Sequence, residues 1–144
     1  METIYENDKD LLNLFTDMVR AHTAYMDRQL AGLELSNGQG GVISALGRNG
    51  SLTQNELARF RQVTPATISI MLDRMERDGL VIRDSMWGNN RANKVRLTTK
   101  GAELFKKLDS FMSHEPDVVF GGLTEEEKQR AVEIFTKITN NVTT

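Results

Sequence analysis

The sequence predicts a mainly α protein with one small β-hairpin set beside a pair of short helices. Three observations carry this. Apolar residues recur at spacings of three and four through much of the chain, most clearly over residues 8–31, 68–75 and 104–112. Two helix starts stand close together, Thr53-Gln-Asn-Glu56 and Thr64-Pro65, so the first helix of the pair must be short. Beyond them, Val81–Asp84 and Lys94–Leu97 have the composition of two strands around a loop rich in Asn, Gly and Arg. The order helix, turn, helix, hairpin is that of a winged helix-turn-helix, which places its second helix in the DNA major groove.

The elements follow in turn. Residues 8–31 align Leu11, Phe15, Met18, Val19, His22, Met26 and Leu30 on one helical face. That face suits core packing and partner-helix packing equally. Residues 37–47 are helical at Val42, Ile43 and Leu46, but Gly38, Gly40 and Gly41 weaken the start by ~1 kcal/mol each relative to alanine. The expectation is a helix beginning near Gly41; the alternative is that the small residues admit another element or a ligand. Thr53 and Glu56 form a capping box, and Leu57, Ala58 and Phe60 supply the apolar side of the next helix. Thr64 caps the second helix of the pair, with Pro65 in its first turn. Ile68, Met71, Leu72 and Met75 face inward, and Gly79 ends the helix in a left-handed conformation. After the hairpin, Thr98 or Thr99 caps a helix through Leu104, Phe105, Leu108, Phe111 and Met112, which His114-Glu115-Pro116 should kink or end. Thr124 to Glu127 is another capping box, opening a last helix to about Asn140 with Val132, Phe135 and Ile138 inward.

Composition narrows the classes of function. The chain has 144 residues, the length of one ordinary domain, with 39% apolar and 26% charged residues. It contains no cysteine, which excludes disulfides, thiolate metal sites and thiol redox sensing. No apolar run approaches the ~20 residues of a membrane span, and the acidic start METIYENDKDLLNLF lacks the features of a signal peptide. A cytoplasmic, soluble protein with no membrane partner is expected. The net charge of −2 is unevenly spread: residues 52–101 hold nine Lys/Arg against five Asp/Glu, a local +4, and the remainder carries −6. Binding to phosphates needs a local cationic surface, not a basic protein.

That block holds the candidate DNA contacts. Thr53 opens the first helix of the pair. Small residues near the start of the second (Thr64, Pro65, Ala66 and Thr67) allow close approach to base edges and thymine methyls. Thr67 and Ser69 have hydroxyls that can donate to phosphates. Ile70, Arg74 and Arg77 complete the outward face, together with Asp73, unless that face is simply an exposed helix with ordinary charges. In the loop of the hairpin, Asn89, Asn90, Arg91 and Lys94 join a flexible backbone to two cations, and Arg91 suits the negative potential of a narrow minor groove. Trp87 either packs across the hairpin base or touches sugar and phosphate.

The run LTQNELA…VTPATISIMLDRMERDGLVIR…NNRANKVRLTTKG resembles the MarR family of bacterial transcription regulators, and the flanking helices extend the resemblance over nearly the whole chain. The family's hairpin usually carries Asp-Arg-Arg where this chain has Asn89-Asn90-Arg91. The last Arg is kept, but the acid that orients an Arg is replaced by a neutral amide, which implies a weaker or more mobile wing. The resemblance implies one MarR-type domain over residues 1–144, with dimerisation helices at 1–35 and 120–144 and a DNA-binding region at 37–101. It further implies a homodimeric repressor on a pseudo-palindromic operator, released by a small anionic or phenolic effector. Arg20, His22, Gly40 and Gly41 are the candidate effector residues, at the junction of the first helix and the glycine-rich second. With only His22 and His114, on different helices, no metal site is expected, and no cofactor.

Two rival classes remain. An enzyme is not expected: there is no cysteine nucleophile, no Gly-x-Ser-x-Gly elbow, no phosphate-cradling glycine loop and no cluster of metal ligands. The other rival is a winged-helix module for protein interaction whose Asn-rich hairpin has lost contact with DNA. The segregated cationic block weighs against it.

Overall fold

The computed structural model describes residues 5–85 and 93–143. The elements are α1 (Asp8–Ala31), α2 (Asn37–Asn49), β1 (Ser51–Thr53), α3 (Gln54–Arg61), α4 (Pro65–Arg77), β2 (Val81–Ser85), β3 (Asn93–Leu97), α5 (Thr99–Val119) and α6 (Glu125–Thr143). The mainly helical winged helix-turn-helix expected from the sequence is therefore present. The chain divides into two compact units, Met1–Asp109 and Ser110–Thr144.

The first unit is built around the side chains that the helical spacing predicts. Val42, Ile43 and Leu46 of α2, Leu57 of α3, and Ile68, Leu72 and Met75 of α4 are almost wholly removed from solvent. Leu52, Val81 and Val95 close this core from the sheet, and Leu108 of α5 is also buried. At ~1.5–3 kcal/mol for each large apolar side chain buried, this cluster is the main source of stability for the helix pair.

The sheet has a third strand that the sequence reading did not anticipate. Its order is β1-β3-β2, antiparallel throughout, so β3 is central. Ser51, Leu52 and Thr53 pair with Arg96, Val95 and Lys94, while Val81 to Ser85 pair with Leu97 to Asn93. Three residues are too few to show a period, and β1 exists because β3 offers it a free edge.

Local caps set the helix limits. Thr53 accepts from the Glu56 amide at 3.1 Å and Glu56 returns the bond to the Thr53 amide at 2.8 Å. Thr64 caps α4 with Pro65 in its first turn, as expected. After α4, the Leu80 amide donates to Met75 at 2.9 Å and the Gly79 amide to Glu76 at 3.1 Å, with Gly79 at φ +74°. This is the left-handed helix end predicted for that glycine. Thr98, not Thr99, caps α5, accepting from the Gly101 amide at 3.1 Å. Thr124 and Glu127 form the expected box ahead of α6.

Several expectations are corrected. The second helix begins at Asn37, not near Gly41, because Ser36 and Gln39 form a capping box ahead of the glycines. The glycines instead permit close packing: a Cβ on Gly40 would lie 2.8 Å from Leu30, one on Gly38 would lie 2.7 Å from Met71, and one on Gly41 would collide with the Arg61 guanidinium. Phe60 does not join the apolar side of α3 but is exposed. Pro116 does not end α5, which continues to Val119. A proline removes a single ladder bond, and its own carbonyl still accepts from the Phe120 amide at 2.9 Å. Lastly, Val132 and Phe135 do not turn inward within the chain and Ile138 is only half-buried: no described residue of α6 is buried.

Candidate nucleic-acid interface

Helix α4 presents one face to the core and the other to solvent. Ile68, Leu72 and Met75 are buried, whereas Ala66, Thr67, Ile70, Asp73, Arg74 and Arg77 are exposed and Ser69 is half-buried. The division expected from spacing is the one observed. At the start of the helix, Thr64 Oγ1 accepts from the Thr67 amide at 3.2 Å and lies 2.9 Å from Thr67 Oγ1. The two hydroxyls are thereby fixed side by side. Because each hydroxyl has one proton and two lone pairs, the pair keeps hydrogen-bonding capacity directed outward. Pro65 and Ala66, beside them, are small and exposed, so a flat surface could approach the helix start closely.

The acids of this helix are held by an arginine outside it. Arg83 of β2 donates from Nε to Glu76 at 3.1 Å, and its Nη2 pairs with Asp73. The guanidinium offsets half the charge of the two carboxylates on the helix that also bears Arg74 and Arg77. It also ties α4 to the sheet, an effect the sequence pattern did not reveal because the partners lie ten and seven residues apart. Arg77 Nε reaches the Asp73 carbonyl at 3.4 Å. Helix α4 is braced at its far end by the start of α5: Thr98 donates to the Gly79 carbonyl at 2.5 Å and Lys100 to the Asp78 carbonyl at 3.0 Å.

The turn between α3 and α4 contributes residues that the sequence reading missed. Gln62 holds a left-handed conformation at φ +52°, with its amide donating to Arg59 at 3.2 Å and that of Val63 to Ala58 at 3.0 Å. Beside it an open groove of about 520 Å³ is lined by Asn55, Ala58, Arg59, Gln62, Val63 and Pro65. Exposed Arg59 and Asn55 therefore lie next to the start of α4. The available signal was their position on the outer side of a short helix whose inner side is Leu57 and Ala58.

The remaining predicted residues are more dispersed. Thr53 is half-buried, and its hydroxyl is occupied by the α3 cap. Lys94 is exposed on β3, opposite Thr53 on one side and Asp84 on the other. On the outer surface of the sheet, Arg96 pairs with Asp84 at 2.8 Å. Asn89, Asn90 and Arg91, with Trp87, lie outside the described residues. Of the candidate effector residues, Arg20 is exposed on α1 and pairs with Asp17 at 3.3 Å, and His22 is exposed on the same helix. The space over Gly40 is filled by Leu30 and that over Gly41 by Arg61. Among the described residues, no group of His, Cys, Asp and Glu is placed to hold a metal ion, and no helix is long and apolar enough to cross a membrane.

This arrangement is shared with known proteins. Residues 31–85 match the MarR family. The chain is 32% identical over 140 residues to the HTH-type transcriptional repressor YetL of Bacillus subtilis, an alignment spanning 93% of this chain and 83% of that protein. Its structure is similar to that of a MarR-like transcription regulator from Bacillus cereus, with a TM-score of 0.80 and 26% identity over 94% of this chain and 98% of the other. It is similar as well to MepR of Staphylococcus aureus, in a structure of a MepR–DNA complex, with a TM-score of 0.77 and 26% identity over 90% of this chain and 96% of MepR. With this core, this sheet and this degree of likeness over nearly its whole length, the chain belongs to the MarR family of transcription regulators.

Proposed function

We propose that the protein is a cytoplasmic, homodimeric repressor that binds a pseudo-palindromic DNA operator, with α4 of each protomer in one major groove. The observation that carries this reading is the outward face of α4. It joins the fixed Thr64–Thr67 hydroxyl pair to Arg74 and Arg77, with the intervening acid Asp73 paired with Arg83. A major groove about 12 Å wide admits such a helix, and its small N-terminal residues allow base edges to come close. Arg59, Lys94 and Arg91 are assigned to the phosphates and the neighbouring minor groove. The likeness to MepR, a protein solved in complex with DNA, supports DNA as the partner. Nothing in this reading calls for catalysis, and release by a small anionic or phenolic effector completes it.

The test is selection of bound duplexes from a random pool, followed by titration of the enriched sequence at several salt concentrations. A specific protein of this kind enriches an inverted repeat with half-sites about one helical turn, roughly 10 bp, apart. Arg77→Ala should weaken binding and reduce the log–log salt slope by about one if that cation meets a phosphate. Failure to enrich any sequence would remove the DNA reading and favour a protein-interaction role. A series of aromatic carboxylates added to the formed complex tests effector release directly.

A further inference from the structure

One side chain on α4 does not fit a purely polar reading face. Ile70 is 69% exposed, the most solvent-accessible large apolar side chain of the helix pair. At about 100° per residue it lies roughly 140–160° from Ile68, Leu72 and Met75, so it points directly away from the core. Ala66, Thr67, Asp73, Arg74 and Arg77 all fall within about 60° of it on the helical wheel. Ile70 thus occupies the centre of the stripe assigned to the major groove, with small residues toward the helix start and cations toward its end. A single exposed isoleucine on an arbitrary surface has no meaning. Here its neighbours would bring it against DNA, where the apolar feature of the major groove is the 5-methyl group of thymine.

We infer that Ile70 is a specificity-determining residue that reads a thymine by packing its side chain against that methyl group. The inference rests on the proposed DNA-binding function and adds the chemistry of one position in each half-site. Its branched side chain cannot hydrogen-bond, so at this position it recognises the methyl and leaves the hydrogen-bonding groups of the major-groove edge to Thr67 and the arginines. It distinguishes thymine from cytosine through shape and apolar contact alone. Such a contact releases no counterion, so it contributes to preference without contributing to salt dependence.

The experiment uses the full-length protein and the operator enriched by selection. Each thymine in turn is replaced by deoxyuridine, which removes only the methyl group. The wild-type protein should lose about three- to tenfold in affinity at one thymine of each half-site, as expected for one methyl buried on each side of the contact. Ile70→Ala should bind the thymine and deoxyuridine operators equally at that position, with an unchanged salt slope. Ile70→Val, which retains a branched apolar surface, should keep part of the discrimination. Circular dichroism guards against a folding defect, which is not expected for an exposed helical site exchanged for alanine. Equal methyl dependence in wild type and Ile70→Ala would overturn the inference while leaving DNA binding intact. So would a wild-type protein indifferent to every thymine methyl of an operator that it binds specifically. A pool that yields no enriched duplex would overturn the functional reading and this inference together.

Discussion

At the scale of single residues, backbone geometry exposes two positions where one atom decides the sign of a substitution. Gln62 sustains a left-handed conformation in the turn that sets α3 against α4. A residue with a Cβ pays ~1–2 kcal/mol there, whereas glycine pays only its larger unfolded-state entropy of ~0.5–1 kcal/mol. Gln62→Gly should therefore stabilise the fold by about 0.5–1 kcal/mol, read as a raised urea midpoint; a lowered midpoint would show that the Gln62 side chain contributes more than its strain costs. Gly101 is the opposite case. A Cβ there would collide with the carbonyl oxygen of Leu80, a backbone atom fixed by the Thr98 amide at 3.1 Å. Gly101→Ala should cost about 1–3 kcal/mol, and calorimetry should record a matching fall in melting temperature.

At the scale of the element, α4 is held from outside at its middle and its end. Arg83 pairs with Asp73 and Glu76, and the Thr98 and Lys100 side chains satisfy carbonyls past its last turn. Surface ion pairs contribute at most ~1 kcal/mol to folding, so the larger consequence of the Arg83 clamp is electrostatic. Without it, the local field of α4 would be more negative by one charge, with Asp73 on the outward face and Glu76 beside it. Arg83→Met keeps the apolar stem and removes the charge. It should weaken operator binding about tenfold, near 1.4 kcal/mol, while changing unfolding by less than ~1 kcal/mol. Adding Asp73→Asn and Glu76→Gln to that variant should restore most of the affinity. Full affinity in Arg83→Met alone would show that the clamp has no part in binding.

At the scale of the whole molecule, the two terminal helices expose what a soluble protein normally covers. Leu11, Phe15, Met18 and Val19 of α1 are each between 43% and 55% exposed, and Val132, Ile134 and Phe135 of α6 between 44% and 58%. Apolar stripes of this length mark association surfaces. An amphipathic helix with no described residue buried has little tertiary packing of its own, and such packing supplies most of the stability of helices in proteins. The expected outcome is a dimer of twice the 16.2 kDa chain mass in sedimentation at micromolar concentration. Phe135→Lys, a charge on the α6 stripe, should shift the species toward monomer and abolish high-affinity binding to the full inverted repeat. A monomeric wild type that still binds the repeat with full affinity would contradict the assembly.

Local chemistry written in consecutive residues determined much of this protein. The caps at Thr53, Thr64 and Thr124, the left-handed end at Gly79 and the inward stripe of α4 all follow from side chains within a few positions of one another. The outward stripe of α4 was equally legible, since a helix that commits one face to the core commits the other to solvent. The spacing of Ser36 and Gln39 is a readable cap signal that went unused, and glycine propensity alone misplaced the start of α2, since propensity does not register close packing against Leu30 and Met71. Only tertiary structure decided the rest. The strand β1 exists through pairing with residues more than forty positions away, and the Arg83 clamp joins a strand to a helix across a turn. The direction of the apolar faces of α1 and α6 was likewise hidden, because periodicity reports that a face is apolar but not what covers it. The physical reason is common to all three: a hydrogen-bonded turn is specified by its neighbours in sequence, whereas burial and pairing depend on which distant surface the chain brings near.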